Sequence, residues 1–521
     1  MSHLLPEYHS YEEFKNRVRL LEEIKALGID PYPPKYTPGS TSLELLEEYQ
    51  DLEAHFDLAQ SGSSPEAKVA GRLVLFRAMG KNAFAHIQDE KGRIQILFNR
   101  DHTKVEGLKG DSITDIKFIE KKLSLGDILG IEGNLFYTQK NELTIFVKKV
   151  TLLCKSLLPL AEKHAGLEDK ELRYRKRWLD LVSNPEIKQT FFTRSLILKI
   201  IREYFEKHGF IEVETPVLQS VYGGANAKPF KTLLNALNED MFLRISLEIP
   251  LKKLLVGGFS KVFEISKVFR NEGLDKTHNP EFTELEAYAA YWDYNDMMEY
   301  VEKLYETIAL KLFEDTKIVV THLDQEITLD LKAPWKRLTM KEAIKTYADI
   351  DVDTLDDDAI KKILKEKTDL DHQAIEKATR GVHIAMLFEE LAEKHLIQPH
   401  HITDHPIETT PLCKPHRNKK EKNEGLVERF ESFILATEAC NAYTELNDPI
   451  LQRELLVEQA LLHEQGNPEA HPLDEEFIEA ICQGMPPASG VGIGIDRLVM
   501  LFTNCHSIRD VLFFPIMKFL D

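Results

Sequence analysis

Between Lys68 and Val150 the apolar residues come in short β-branched and aromatic runs, VAGRLVLF, FAHIQD, RIQILF, ILGIEGNLFYT and LTIFVKKV, separated by Gly, Asn and Asp. Runs of this length with turn residues between them predict a small all-β domain of about five strands, placed here at residues 66–155. Ahead of it, Tyr11 to Leu27 has apolar positions at helical spacing and ends at Gly28 and the turn-rich Pro31–Pro34, which predicts a helical extension over residues 1–65. A charged, Arg-rich bridge (Leu167 to Val182) lies in a linker over residues 156–185, and after Asn184-Pro185 helix and strand signals mix to the end of the chain. The expectation for 186–521 is an α+β domain, with an acidic, helix-periodic insertion at about 340–396.

Three segments carry chemistry. In Val268–Tyr288, VFRNEGLDKTHNPEFTELEAY, two strand-like runs flank a turn; period-2 parity puts Arg270 and Glu272 on one face of the first, and Phe282, Glu284, Glu286 and Tyr288 on one face of the second. Such a face is poor dry core, so it should line a wet, charged cleft; a solvated outer sheet face is the plainer alternative. In Ser489–Met500, SGVGIGIDRLVM, alternate glycines allow close backbone approach, and Arg497 at the start of the following helix suits a flat aromatic or a phosphate. The spacing is not that of a dinucleotide-binding fingerprint.

The third segment is Glu428–Asp448, ERFESFILATEACNAYTELND. If Ala436-Thr437 form a two-residue hairpin turn, Leu435 pairs with Glu438, and Glu431 and Glu438 share a face. Two carboxylates without nearby His or Cys suit a hard cation, Mg²⁺ held jointly with phosphates. A regular strand then turns Asn441 and Glu445 away, so bringing them to the same site requires a β-bulge. His395, His400, His401, His405 and His416 have no zinc spacing and are expected to be solvated loop residues.

Composition narrows the classes. With 43% apolar and 29% charged residues the chain should fold, and no apolar run approaches the roughly 18 residues that span a bilayer. The first residues carry acids where a secretory leader is apolar, so a cytoplasmic address is expected. Five cysteines without a Cys-x-x-Cys pair predict free thiols rather than a disulfide scaffold or a zinc ribbon. A net charge of −20 argues against coating nucleic acid by bulk attraction, yet Glu66–Val150 holds 15 Lys plus Arg against 11 Asp plus Glu. The β domain is locally basic inside an acidic protein.

Together these segments closely resemble class II aminoacyl-tRNA synthetases, and within them the lysyl enzymes. GFIEVETP (Gly209–Pro216) resembles the family's first motif, FRNE with HNPEFTELEAY its second, and GIGIDRLVM its third. GGANAKPF (Gly223–Phe230), DHPIE (Asp404–Glu408) and NAYTELNDP (Asn441–Pro449) are similar to the lysyl branch. The chain departs at Ser246–Glu248, where SLE replaces a small residue followed by PE, and at Trp292, which replaces a small residue.

The resemblance implies a five-stranded OB-fold anticodon-binding barrel followed by a catalytic domain built on an antiparallel sheet with flanking helices. It implies activation of L-lysine with ATP and transfer to the terminal adenosine of its tRNA, by a homodimer joined through the first motif. By resemblance, Arg270, Glu272, His278, Asn279, Phe282 and Arg497 hold ATP, with Arg270 and Arg497 catalytic. Gly224, Glu248, Glu286, Tyr288, Asn441 and Glu445 hold lysine, with Glu445 and Tyr288 at its side-chain ammonium. Glu431 and Glu438 hold Mg²⁺, and Phe84, Gln95 and Glu142 read the anticodon. An inactive nucleic-acid-binding homologue and an enzyme that lysylates protein are the alternatives.

Overall fold

The short β runs of the first segment fold into five long strands, Glu66–Met79, Asn82–Gln88, Arg93–Asn99, Ile128–Tyr137 and Leu143–Cys154, in the computed structural model of the chain. The structure describes residues 6–109, 112–160, 167–464 and 472–518. They fall into two units, Met1–Pro185 and Glu186–Asp521. In the first, the strands pair antiparallel except where Arg93–Asn99 meets Leu143–Cys154 in parallel, with Gln95 opposite Thr144, and this pairing closes the sheet into a barrel. Closure removes the exposed strand edges that a five-stranded sheet would otherwise present. The helix Asp115–Lys122, which the β pattern does not announce, lies between the third and fourth long strands.

The N-terminal helix, Glu12–Ala26, is part of this unit rather than a free extension. Its Ile24 is buried with Val69, Leu73, Ile87 and Ile131 of the barrel. Arg17 is buried beside it and donates to the carbonyls of Leu125 (3.0 Å) and Leu158 (3.2 Å).

The second unit is built on an eight-stranded sheet. Across it run Lys336–Thr339, His400–Pro406, Leu426–Ile434, Thr437–Thr444, Ala488–Gly494, Glu281–Ala290, Lys261–Phe269 and Ile211–Glu212. The six inner strands are antiparallel, as expected; the outermost pairing at each edge is parallel, which makes the sheet mixed. Helices Lys188–Lys207, Tyr294–Phe313 and Ile495–Phe502 supply Ile197, Phe205, Met297, Leu304, Leu498 and Phe502 to the core against one sheet face. The opposite face is left for the site. Residues 340–396 form the helices Met340–Ala348, Asp357–Lys367, His372–Lys377 and Arg380–Leu387 and a π-helical turn Phe388–Ala392, around a small core that takes Ile344, Ile360 and Leu387 from this segment and Phe433 from the sheet.

Four of the five histidines taken as solvated loop residues are buried. His400, His401 and His405 lie on a strand, and His416 is also enclosed. His401 bonds Ser432 Oγ at 2.8 Å and faces Glu302, and burial pushes His405 down to about 3. The lack of metal-ligand spacing does not tell a loop from a strand whose polar residues find partners.

Among its described residues the barrel has a wholly buried ion pair, Lys155 with Asp127 at 2.9 Å. Lys155 also donates to the Lys122 carbonyl and to Ser124 Oγ, both at 2.8 Å, while Asp127 accepts from the backbone N–H of Ser124 and Ser156. Burial pushes the Asp127 carboxyl up and the Lys155 ammonium down, each against the attraction of the other. Removing one partner strands the other charge, so Asp127→Ala should destabilise the barrel by about 3–5 kcal/mol, whereas the apolar double replacement Asp127→Leu with Lys155→Met should cost far less. Amide exchange in Ile128–Tyr137 and Leu143–Cys154 measures both; equal losses in the two variants contradict this account.

Candidate active site

The polar face of Glu281–Ala290 forms through strict alternation. Leu285, Ala287 and Ala289 enter the core, while Phe282, Glu284, Glu286 and Tyr288 line a cavity of about 380 Å³. The preceding strand ends at Phe269, opposite Glu281, so Arg270 and Glu272 belong to the connection rather than to the strand face that parity suggested. Both nevertheless reach the cavity, with Gly224, Ser246, Glu248, His278, Asn279, Glu438, Asn441 and Arg497. Six carboxylates and three guanidinium groups line it, a balance that favours a ligand with cationic groups and offers arginines to phosphate.

The hairpin turn sits one residue earlier than expected. Leu435 and Ala436 occupy it, both with positive φ, and Phe433 rather than Leu435 stands opposite Glu438. Ser432 then faces Cys440, so Ala439 is the extra residue of a bulge. The bulge restores what a regular strand could not do: Cys440 and Ala442 point into the core, and Glu438, Asn441 and Tyr443 all line the cavity. Glu431, opposite Asn441, keeps the same face as Glu438, although Glu431 itself is not on the cavity wall.

At the acidic end, Glu286 accepts from Ser246 Oγ (2.7 Å), the Leu247 N–H (2.6 Å) and the Tyr288 hydroxyl (2.7 Å). Ser246, the departure from the expected motif, is thus a donor to a site carboxylate. Burial, helped by Glu284 and Glu248, pushes Glu286 up to about 8. Tyr288 gives its proton to Glu286, so its oxygen retains only acceptor capacity. Glu248 opens the helix Glu248–Val256 and accepts from the Tyr443 hydroxyl at 2.8 Å. Gly224 has φ +89°, and a Cβ there would meet Ser246 Oγ and Glu248, so the loop needs glycine.

Glu445 differs most from expectation. It is fully buried behind the wall and already has an ammonium partner, Lys252, which also pairs with Glu248. Lys252 lies one helical turn after Glu248, and that i,i+4 Glu–Lys spacing was the sequence signal for it.

At the other end Arg270 lies over the Phe282 ring, 5.0 Å from its centre, and donates to the Ile245 carbonyl. Arg497, in the first turn of Ile495–Phe502, reaches Glu438 (3.2 Å) and His278 Nε2 (3.0 Å). A guanidinium only donates, so Nε2 accepts and the His278 proton sits on Nδ1, facing Asp275 at 2.7 Å. Despite some desolvation, the Thr277 N–H and the His278 ring hold the Asp275 carboxyl well below its usual range. Between the two ends the strand Ala488–Gly494 forms the floor. A side chain at Gly490 would collide with Glu445 and Tyr288, whereas Gly492 and Gly494 have ordinary clearance.

For a cation, Glu431 and Glu438 offer oxygens only. Each is paired with an arginine, Arg429 and Arg497 respectively, and among the described residues no three His, Cys, Asp or Glu side chains converge as a metal site. The local field is nonetheless negative: burial, then Glu431, Glu389 and Glu438, push Glu393 up to about 7. Two carboxylates completed by phosphate oxygens fit a hard divalent ion.

On the barrel, Gln95 donates to Glu142 at 2.7 Å, and Phe84 is half-buried against Leu97, Phe136 and Phe146. His86, opposite Gln95 and bonded to the same carboxylate at 2.8 Å, is a member of this group that sequence reasoning missed.

Residues 67–153 match the OB-fold nucleic acid binding domain family, and residues 169–518 match the tRNA synthetases class II (D, K and N). The chain is 57% identical to a lysine–tRNA ligase of Chlamydia pneumoniae over 99% of its own length and 98% of that protein's. It is 44% identical to lysine–tRNA ligases of Clostridium botulinum, over 98% and 97%, and of Thermoanaerobacter sp., over 98% of each chain. By its three-motif sheet, its barrel and these full-length matches, the chain belongs to the class II tRNA synthetase family, on the lysine–tRNA ligase branch.

Proposed function

We propose that the protein joins L-lysine to its tRNA in two steps, through lysyl-adenylate. The observation that carries the reading is a single cavity with buried carboxylates at one end and Arg270 and Arg497 at the other. The lysine carboxylate is ionised at neutral pH, so it attacks the α-phosphorus without a protein base; the new O–P bond forms as the bond to pyrophosphate breaks. The enzyme's task is in-line placement and charge neutralisation. Arg270 serves the α-phosphate and the attacking carboxylate, Phe282 and Arg497 enclose the adenine over Gly492 and Gly494, and Glu272, His278 and Asn279 hold the rest of ATP. In the second step the terminal ribose hydroxyl attacks the lysyl carbonyl and AMP leaves.

Glu248 and Glu286 receive the α-ammonium of lysine, with Gly224 and Asn441 beside them, and Glu445 with the Tyr288 oxygen receives the side-chain ammonium. Glu431 and Glu438 would hold Mg²⁺, which neutralises phosphate charge when bound. Phe84 stacks on an anticodon base while Gln95 and Glu142 hydrogen-bond its edge, a mode suited to single-stranded RNA on an OB surface. The exposed apolar residues Ile211, Val217 and Leu218 in and after the first motif support a homodimer. No described helix is long and apolar enough to cross a membrane, in keeping with a cytoplasmic enzyme.

Two measurements test these roles. Arg270→Ala should lower lysine-dependent ATP–pyrophosphate exchange by roughly 10²- to 10³-fold without altering the circular dichroism spectrum, the loss typical of a removed transition-state donor; near-normal exchange excludes Arg270 from the chemistry. Phe84→Ala should weaken tRNA charging by the roughly 1–3 kcal/mol of one stacked base while exchange is unchanged. Equal damage to both reactions would make Phe84 a core residue of the barrel.

A further inference from the structure

Lys252 is a cation buried behind the wall of a cavity lined with carboxylates. Its side chain is fully buried, and its ammonium bridges Glu248 and the Oε2 of Glu445. It sits 5.5 Å from the centre of the Tyr443 ring. Both oxygens of Glu445 are buried without a hydrogen-bond partner, and they differ in their neighbours: Oε2 is held by the Lys252 ammonium as an ion pair, whereas Oε1 lies against Gly490, which lines the cavity. A fully buried carboxylate thus has an ammonium at one oxygen and a glycine of the cavity wall at the other.

We infer that Lys252 is a positioning residue for substrate selection: its ammonium pairs with Oε2 of Glu445 and fixes the rotamer, so that Oε1 is offered to the side-chain ammonium of lysine. The inference rests on the reading of this cavity as a lysine site. Without Lys252, Glu445 faces Glu248 from the same helix, Glu286 and Tyr288 from the adjoining strand, Tyr443 from the strand leading to it, and Cys413 across an isolated bridge. Burial holds both tyrosines and the Cys413 thiol in their neutral forms, so of these groups Lys252 is the one cation. A carboxylate in that company without its cation takes up a proton, and a protonated carboxyl no longer offers charge to an ammonium.

The sign of the pH dependence follows. Burial pushes the Glu445 carboxyl above its ordinary range, and Lys252 pulls it back down. Its ionised form binds the ammonium, so lysine affinity is lost as the pH falls through the titration of Glu445. Removing Lys252 moves the titration higher. The KM for lysine of Lys252→Met should exceed that of the native enzyme by roughly tenfold or more at pH 7, the effect of losing one adjacent opposite charge, and the ratio should narrow as the pH is raised to 9. The KM for ATP should not change, and Lys252→Arg should restore the native pH profile.

Lysine-dependent exchange measured from pH 7 to 9 on the native enzyme, Lys252→Met and the smaller change Lys252→Gln decides this. A lysine KM ratio that stays constant with pH assigns Lys252 a purely structural role and overturns the inference. If neither neutral variant folds, the native enzyme labelled with ¹⁵N-lysine carries the test: the Lys252 ammonium resonance should shift on saturation with lysine and not with ATP, and an unmoved resonance overturns the inference. Absence of lysine-dependent exchange in the native enzyme would instead remove the substrate reading itself.

Discussion

The larger unit depends on giving several carboxylates partners inside a folded protein. Glu248, Glu286 and Glu445 are all buried, and an unpaired buried carboxylate is among the costliest groups a protein can carry. Each has a specific remedy. Glu286 takes three hydrogen bonds, Glu248 takes a tyrosine hydroxyl and an ammonium, and Glu445 takes that same ammonium. The donors come from different parts of the chain, and the sheet brings them together. Misplacing one strand by a residue would leave acids without partners, so the acidic end penalises wrong registers.

Ala439 shows how closely register and chemistry are joined. One extra residue in a strand rotates everything after it by half a pleat, and that rotation brings Asn441 and Tyr443 to the wall that Glu438 already occupies. The need for such a bulge was legible in the sequence, since the acids could not otherwise share a face. Its place was not. The turn residues, Leu435 and Ala436, both adopt the left-handed conformation although neither is Gly, Asn or Asp, so the local chemistry points one residue further on.

Elsewhere legibility followed periodicity. The strand bearing Phe282, Glu284, Glu286 and Tyr288 repeats with period two, so its face was legible, and the five barrel strands were legible as short apolar runs between turn residues. What escaped had no period to carry it. The end of a strand at Phe269, the burial of His401 and the incorporation of the first helix into the barrel core are decided by partners distant in the chain. Lys252 escaped for another reason: a lysine in an amphipathic helix is ordinarily a surface residue, and only the fold reveals two buried acids above it.

Gly490 has a bearing on how such a pocket could change its substrate. A Cβ at this position would occupy space now filled by Glu445 and Tyr288, so the glycine and the acid behind it form a single steric unit. Replacing the acid with a shorter residue opens a hole that a larger residue at 490 could fill; enlarging 490 first expels the acid. Drift toward an uncharged or anionic amino acid therefore has a preferred order of steps, acid first and glycine second, with Lys252 left as a ready-made cation for a carboxylate side chain.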